Sequence, residues 1–185
     1  MACVFSMASI SNAQCDDTAS VCPERVAVSY EILLAEVRSD FVEGFNQQVV
    51  IRKNSEGSTN SGYAMLANLE SYFFTQFITG DERISVLTRP QILVPFDTKS
   101  GIVTGTEKEW YKIALVPKRV GNSSDVISTR VAFVRTVLQD GKEVAYPCEV
   151  PTIHHPVGGT TLFAGTLGDK EVLLLITPRI VVLNE

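Results

Sequence analysis

The side chains with chemical potential are few and scattered. The chain has two histidines, and they are adjacent, His154 and His155. Neighbours on a strand point to opposite faces, so this pair is poorly placed to hold one metal ion, and both rings are expected at the surface or in a loop. The four cysteines stand at Cys3, Cys15, Cys22 and Cys148. None forms a C-x2-C pair, and the spacing does not support a zinc site. Glu31 and Glu36 lie on one extended stretch with an odd separation, which puts them on opposite faces and not in an acid/base pair. Gly158-Gly159-Thr160-Thr161 has the composition of a phosphate cradle. No lysine follows it and no helical pattern opens behind it, so it reads as a turn feeding a strand. Asp97 and Lys99 read as solvated loop charges. There is no G-x-S-x-G elbow, no H-E-x-x-H and no P-loop lysine motif. Without a convergent nucleophile, base or metal set, the expectation is a non-enzyme that uses no cofactor, and the sequence identifies no small-molecule substrate.

Composition narrows the class further. The 185 residues are 45% hydrophobic and 20% charged, which excludes disorder and fibrous repeats and is enough for one self-sufficient core. Sixteen basic against 21 acidic residues leave a net charge of −5, which argues against nucleic acid as the main partner. The longest apolar run of the body is Val172 to Ile176, far short of the roughly 20 residues a spanning helix needs. A β-barrel wall is compatible with such a sequence, because alternating strands never produce a long run.

Met1 to Gln14 carries no charged side chain. Ser11 and Ala13 are small residues two apart ahead of Gln14, the spacing a signal peptidase cuts. Residues 1–13 are therefore expected to be a signal-peptide remnant whose start lies upstream, and the protein to be exported. In an oxidising compartment Cys15 and Cys22 can pair across a short polar loop, leaving Cys148 over or swapping it in for one of the two.

The elements that follow are strands and one helix, a β-rich α+β chain. Arg25 to Val37 opens with period-two apolar residues and ends continuously apolar, as a strand buried on both faces does. Val49 to Arg52 is a short strand candidate, and Asn54 to Gly62 is a polar Gly/Ser-rich insertion. Tyr63 to Thr79 has the one helical period: Leu66, Leu69, Phe73 and Phe77 form a stripe that should pack on a sheet, and Gly80 stops it. Strand patterns return at 84–87, 92–94, 102–105 and 111–116. Val126 to Leu138 is the longest, with Ile127, Thr129, Val131 and Phe133 on one face. Asp140-Gly141 is a hairpin turn that leads into 144–146. Strands at 160–164, 172–176 and 180–183 finish the chain, with Pro178 implying a bulge or an edge. No repeat and no domain break is visible.

Read in series, these segments resemble a family. Glu171 to Val181, EVLLLITPRIV, is similar to the E-L-L-I-x-I-T-P-R-I-V block that ends the pore domain of secretins, the outer-membrane channels of type II and type III secretion and of type IV pili. Its signature residues here are Glu171, Thr177, Pro178, Arg179 and Ile180. Arg25 to Val37 resembles the opening secretin strand, with Glu36-Val37 in place and Glu31 one position beyond the first acid of the pattern. Ile84 to Thr98, Gly101 to Gly105 and Gly158 to Leu167 resemble three further blocks in family order, so the resemblance covers about residues 25 to 183.

The resemblance implies secretin-type pore-domain sheets over 25–185, preceded by a short segment at 14–24. It implies an outer-membrane or periplasmic place, and partnership with further copies in a homo-oligomeric ring or with other secretion subunits. Arg179, with Glu171 or Glu36, is then a candidate inter-subunit ion pair. Two features differ from the family pattern. Residues 14–24 stand where secretins carry periplasmic ring domains. The long V-P-x-L-G segment that forms part of the membrane rim is replaced by Gly168-Asp169-Lys170. The alternative expectation is therefore a monomeric periplasmic protein-binding module that keeps the secretin core and makes no pore.

Overall fold

The computed structural model describes residues 25–38, 52–53, 62–121, 123–150 and 152–183. The expected signal remnant, the Cys15–Cys22 pair, the loop at 54–61 and residues 49–51 lie outside them. Among the described residues twelve strands and one helix follow in order: β1 (Arg25–Val37), β2 (Arg52–Lys53), β3 (Gly62–Leu66), α1 (Asn68–Gly80), β4 (Ile84–Thr88), β5 (Gln91–Pro95) and β6 (Ser100–Gly105). Then come β7 (Glu109–Val120), β8 (Ser123–Gln139), β9 (Lys142–Glu149), β10 (Ile153–Pro156), β11 (Thr160–Leu167) and β12 (Lys170–Leu183).

They form two antiparallel sheets. The first has the order β2-β3-β11-β12-β1-β4, with β5 also pairing β1; the second has the order β10-β8-β7-β6, with β9 also pairing β8. The β-rich class read from the sequence is therefore correct. The two segments with the strongest strand character are partners: β1 runs antiparallel to β12 from Arg25↔Leu183 to Val37↔Glu171 without a register shift. β12 also pairs β11, which makes both β12 and β1 interior over much of their length and explains their runs of Val, Ile and Leu.

Even-numbered residues of β1 and β12 face the second sheet. Tyr30, Leu34, Leu174 and Ile176 meet Ile113, Leu115, Ile127 and Phe133 there, in one sandwich core. Odd-numbered residues face α1, where Leu33, Leu173 and Leu175 pack with Leu162, Ile84 and Ile78. Each of these side chains contributes roughly 1.5–3 kcal/mol by leaving water. The face of β8 expected to be apolar is so: Ile127 and Thr129 are fully buried, with Val131 and Phe133 nearly so. The Asp140-Gly141 turn has positive φ at both residues (51° and 75°), as a two-residue hairpin with the right twist requires.

The helix departs from its expected form in two ways. Tyr63 to Leu66 is strand, not helix, because the edge of β11 captures it: Tyr63 lies opposite Phe163 and Leu66 opposite Thr160. The helix starts after Ala67, whose N–H donates to Glu70 Oε2 at 2.9 Å. The expected aromatic stripe is also not the packed one. Phe73 and Phe77 are 62% and 46% exposed and Tyr72 60%, while Ile78 is 1% exposed and Phe74 packs on the core. The sequence holds two overlapping i, i+4 pairs, Phe73–Phe77 and Phe74–Ile78, and periodicity alone does not choose between them. The sheet beneath chooses, by offering an aliphatic bed for Phe74 and Ile78 and a hydroxyl for Ser71.

His155 corrects a further expectation. The two histidines do face opposite ways on β10, but only His154 is exposed; His155 is fully buried. Its Nδ1 lies 2.8 Å from Thr161 Oγ1, and that hydroxyl also reaches Met65 Sδ at 2.9 Å. Nε2 has no partner. Burial pushes the ring down to about 4, with His154 adding a smaller repulsion. The unfolded chain, with an ordinary value near 6.5, binds the proton first, so stability falls as pH drops from about 6.5 toward 4. The expected loss is about 2–3 kcal/mol over that interval. Urea unfolding followed against pH checks it, and His155→Gln should remove most of the slope there. Asp81, held down at about 2 by Arg83, loses its own contribution only below that interval.

Candidate functional site

Strand β12 carries the signature residues, and its two ends do different things. At the start, Glu171 pairs across from Val37 and points to the helix side, whereas Glu36 points into the sandwich. There Tyr111 Oη donates to Glu36 Oε1 at 2.8 Å and Lys170 Nζ donates to Glu36 Oε2 at 2.9 Å. Burial and the Glu36 carboxylate push the Tyr111 hydroxyl well above its usual range.

Beside this group sits a cation that sequence reading passed over. Arg135, on β8, is 3% exposed. Its Nε donates to Glu109 Oε1 at 2.7 Å, and its Nη1 donates both to the Leu167 carbonyl and to Asp169 Oδ1 at 2.6 Å. The guanidinium also lies over the Tyr146 ring, 5.6 Å from its centre. Arg135 thus fastens the β11–β12 turn to the second sheet. That turn has Gly168 at φ 69°, and Leu167 pairs directly with Lys170. The only sequence signal for this role was an Arg at a position where β8 otherwise buries apolar residues.

At the other end of β12 the geometry is set by where β11 stops. The β11 ladder reaches Ile176, opposite Thr161. Thr177, Pro178 and Arg179 lie beyond it. No bulge occurs at Pro178, which pairs in register with Tyr30; the edge reading is the right one. The Pro178 carbonyl accepts from Gly158 N–H at 3.1 Å, so even-numbered peptide groups of β12 point away from β1. The missing proline N–H therefore costs no ladder bond. The peptide groups of Ile180 and Val182 point the same way, and among the described strands none lies beside them. This open edge, Ile180-Val181-Val182-Leu183, is uncharged, and Val182 and Leu183 are 48% and 37% exposed.

On the helix side of the same end, a polar row crosses four strands. Thr160 Oγ1 lies 2.6 Å from Thr177 Oγ1, Thr177 is opposite Glu31, and Glu31 is opposite Gln91. Ser71 of α1 caps the row, its Oγ 2.6 Å from Thr160 Oγ1. Gln91 Nε2 donates to Ser29 Oγ at 2.9 Å. Apart from Ser29, these residues, together with Thr75, Arg89 and Pro90 and with Leu33 and Leu175 as floor, line an open cleft of about 290 Å³. Arg179 reaches the lining residue Glu31, with Nη2 3.4 Å from its carboxylate and both side chains about half exposed.

The expected site residues are thus split. Thr177, Pro178, Arg179 and Ile180 share one end of β12. Glu36 and Glu171 lie at the other, eight residues away from Arg179 in the case of Glu171, roughly 26 Å at 3.3 Å per residue. Within one chain Arg179 pairs with Glu31 and not with either of them. Cys148, half-buried on β9, packs against the sandwich core. Among the described residues no cluster of His, Cys, Asp and Glu is placed to hold a metal ion, and no helix is long and apolar enough to cross a membrane. In comparisons with known proteins, no family model, no curated protein and no solved structure matched the chain.

Proposed function

We propose that this chain is a secretin-like component of a bacterial type II or type III protein secretion system or type IV pilus machine. It is exported to the outer membrane or periplasm and forms, or contributes to, a homo-oligomeric ring. It acts by assembly and not as an enzyme. The observation that carries the reading is the end of β12: directly after the T-P-R of the segment that resembles the family signature, Ile180 to Leu183 present an uncharged edge that no described strand covers. Such an edge is a template for another strand and is normally shielded by charge or proline when a protein is monomeric. Pro178 shields only its beginning. Pairing of this edge with a different strand of the next copy is a heterologous contact, the kind that closes into rings. The central β1–β12 pairing adds support, because the opening and the final blocks of the resemblance form one unit of structure.

A second reading has its own observation. The short turn at Gly168-Asp169, held by Arg135, stands where secretins carry part of the membrane rim. That favours a protein-binding module which keeps the secretin core, docks on another secretion subunit and makes no pore. Negative-stain electron microscopy of detergent-extracted membranes expressing the intact chain separates the readings. Rings are expected from the first. Single particles of monomer size, co-purifying with a larger partner, belong to the second.

A further inference from the structure

The polar cleft beside α1 plays no part in strand addition, and its chemistry is specific. Of its charged groups, Arg89 is exposed and has no hydrogen-bond or ion-pair partner among the described residues. Glu31 holds only the long, half-exposed contact to Arg179. Positive and negative groups therefore line one cavity, Glu31 from β1 and Arg89 from the β4–β5 connection, without neutralising each other. Between them the hydroxyls of Ser71, Thr160 and Thr177 form a continuous chain with two contacts of 2.6 Å. Two bonds consume two of its three protons, leaving one to donate. The Thr75 hydroxyl adds another donor, and Gln91 Oε1 remains as an acceptor, since only its amide nitrogen is engaged by Ser29.

Size and lining exclude several ligands. A volume of about 290 Å³ is at the bottom of the range for ligand sites, too small for a nucleotide or an oligosaccharide. No aromatic ring is present among its described lining residues to stack on a sugar or a base. What remains is a small molecule with a carboxylate for Arg89 and the hydroxyl donors, and an ammonium for Glu31 and the Gln91 carbonyl. We propose that this cleft binds a free α-amino acid or dipeptide as a zwitterion.

Isothermal titration calorimetry on the intact chain tests this with glycylglycine, N-acetylglycylglycine and glycylglycine amide. The zwitterion should bind saturably, and each blocked form, which lacks one charge, at least about tenfold more weakly. Arg89→Ala and Glu31→Gln, both at exposed positions, should each raise Kd by a similar factor. The comparison of the three ligands on the unaltered protein does not depend on either variant folding. Absence of saturable binding, equal binding of the blocked forms, or unaltered Kd in both variants would overturn the proposal.

Discussion

Replacing Arg135 by alanine is expected to destabilise the folded chain by about 3–5 kcal/mol, the largest effect of any single polar substitution among the described residues. Arg135 is 3% exposed, and its removal strands Glu109, which is itself only 31% exposed, and the buried Leu167 carbonyl. A carboxylate left without its cation at that depth is the costly part, more than the loss of the bonds themselves. Contact with the Tyr146 ring is lost as well. The partners should not be equal. Asp169 is 79% exposed, so water screens its pair, and Asp169→Asn should cost less than about 1 kcal/mol. Urea midpoints at unchanged m-value check both. Similar costs for the two variants would mean that Arg135 acts mainly through the turn carboxylate and not through Glu109 and the backbone.

The second large effect is on assembly. Val182→Pro should abolish the proposed oligomer and leave the monomer stable to within about 1 kcal/mol, because the N–H it removes points to the edge that no described strand covers. Pro178, at the same phase of the strand, shows that the backbone there accepts proline. Val181→Pro is the control. Its N–H faces β1, so it breaks the central ladder and should cost about 3 kcal/mol or more. Unboiled SDS gels of membrane fractions read the first effect and denaturant unfolding reads the second. A Val182→Pro chain that still assembles would move the interface to another strand.

Much of this architecture was legible because burial on both faces leaves a simple record. β1, β8 and β12 announce themselves by β-branched and aliphatic runs, and the Asp140-Gly141 and Gly168-Asp169 turns by residues that accept positive φ. What failed did so for tertiary reasons. Tyr63 to Leu66 has helical spacing but lies beside an edge of β11 that needed a partner, and ladder formation overrode the local period. His155 looked superficial because a histidine pair gives no hint of which ring a second sheet will cover. Arg135 and the row Thr160–Thr177–Glu31–Gln91 were invisible for another reason. Their members are far apart in sequence and meet only through the register of β11, β12, β1 and β5. The T-P-R motif stood out as a pattern, while its neighbours in space, Glu31 and Ser71, did not.

Assembly of copies into a ring is the central proposal for this chain. Blue-native electrophoresis of the membrane fraction, with the intact chain at its own expression level, tests it most directly. The expected result is a discrete high-mass band, many times the 20.3 kDa of one chain, that is lost in Val182→Pro. A soluble monomer at every concentration would contradict it.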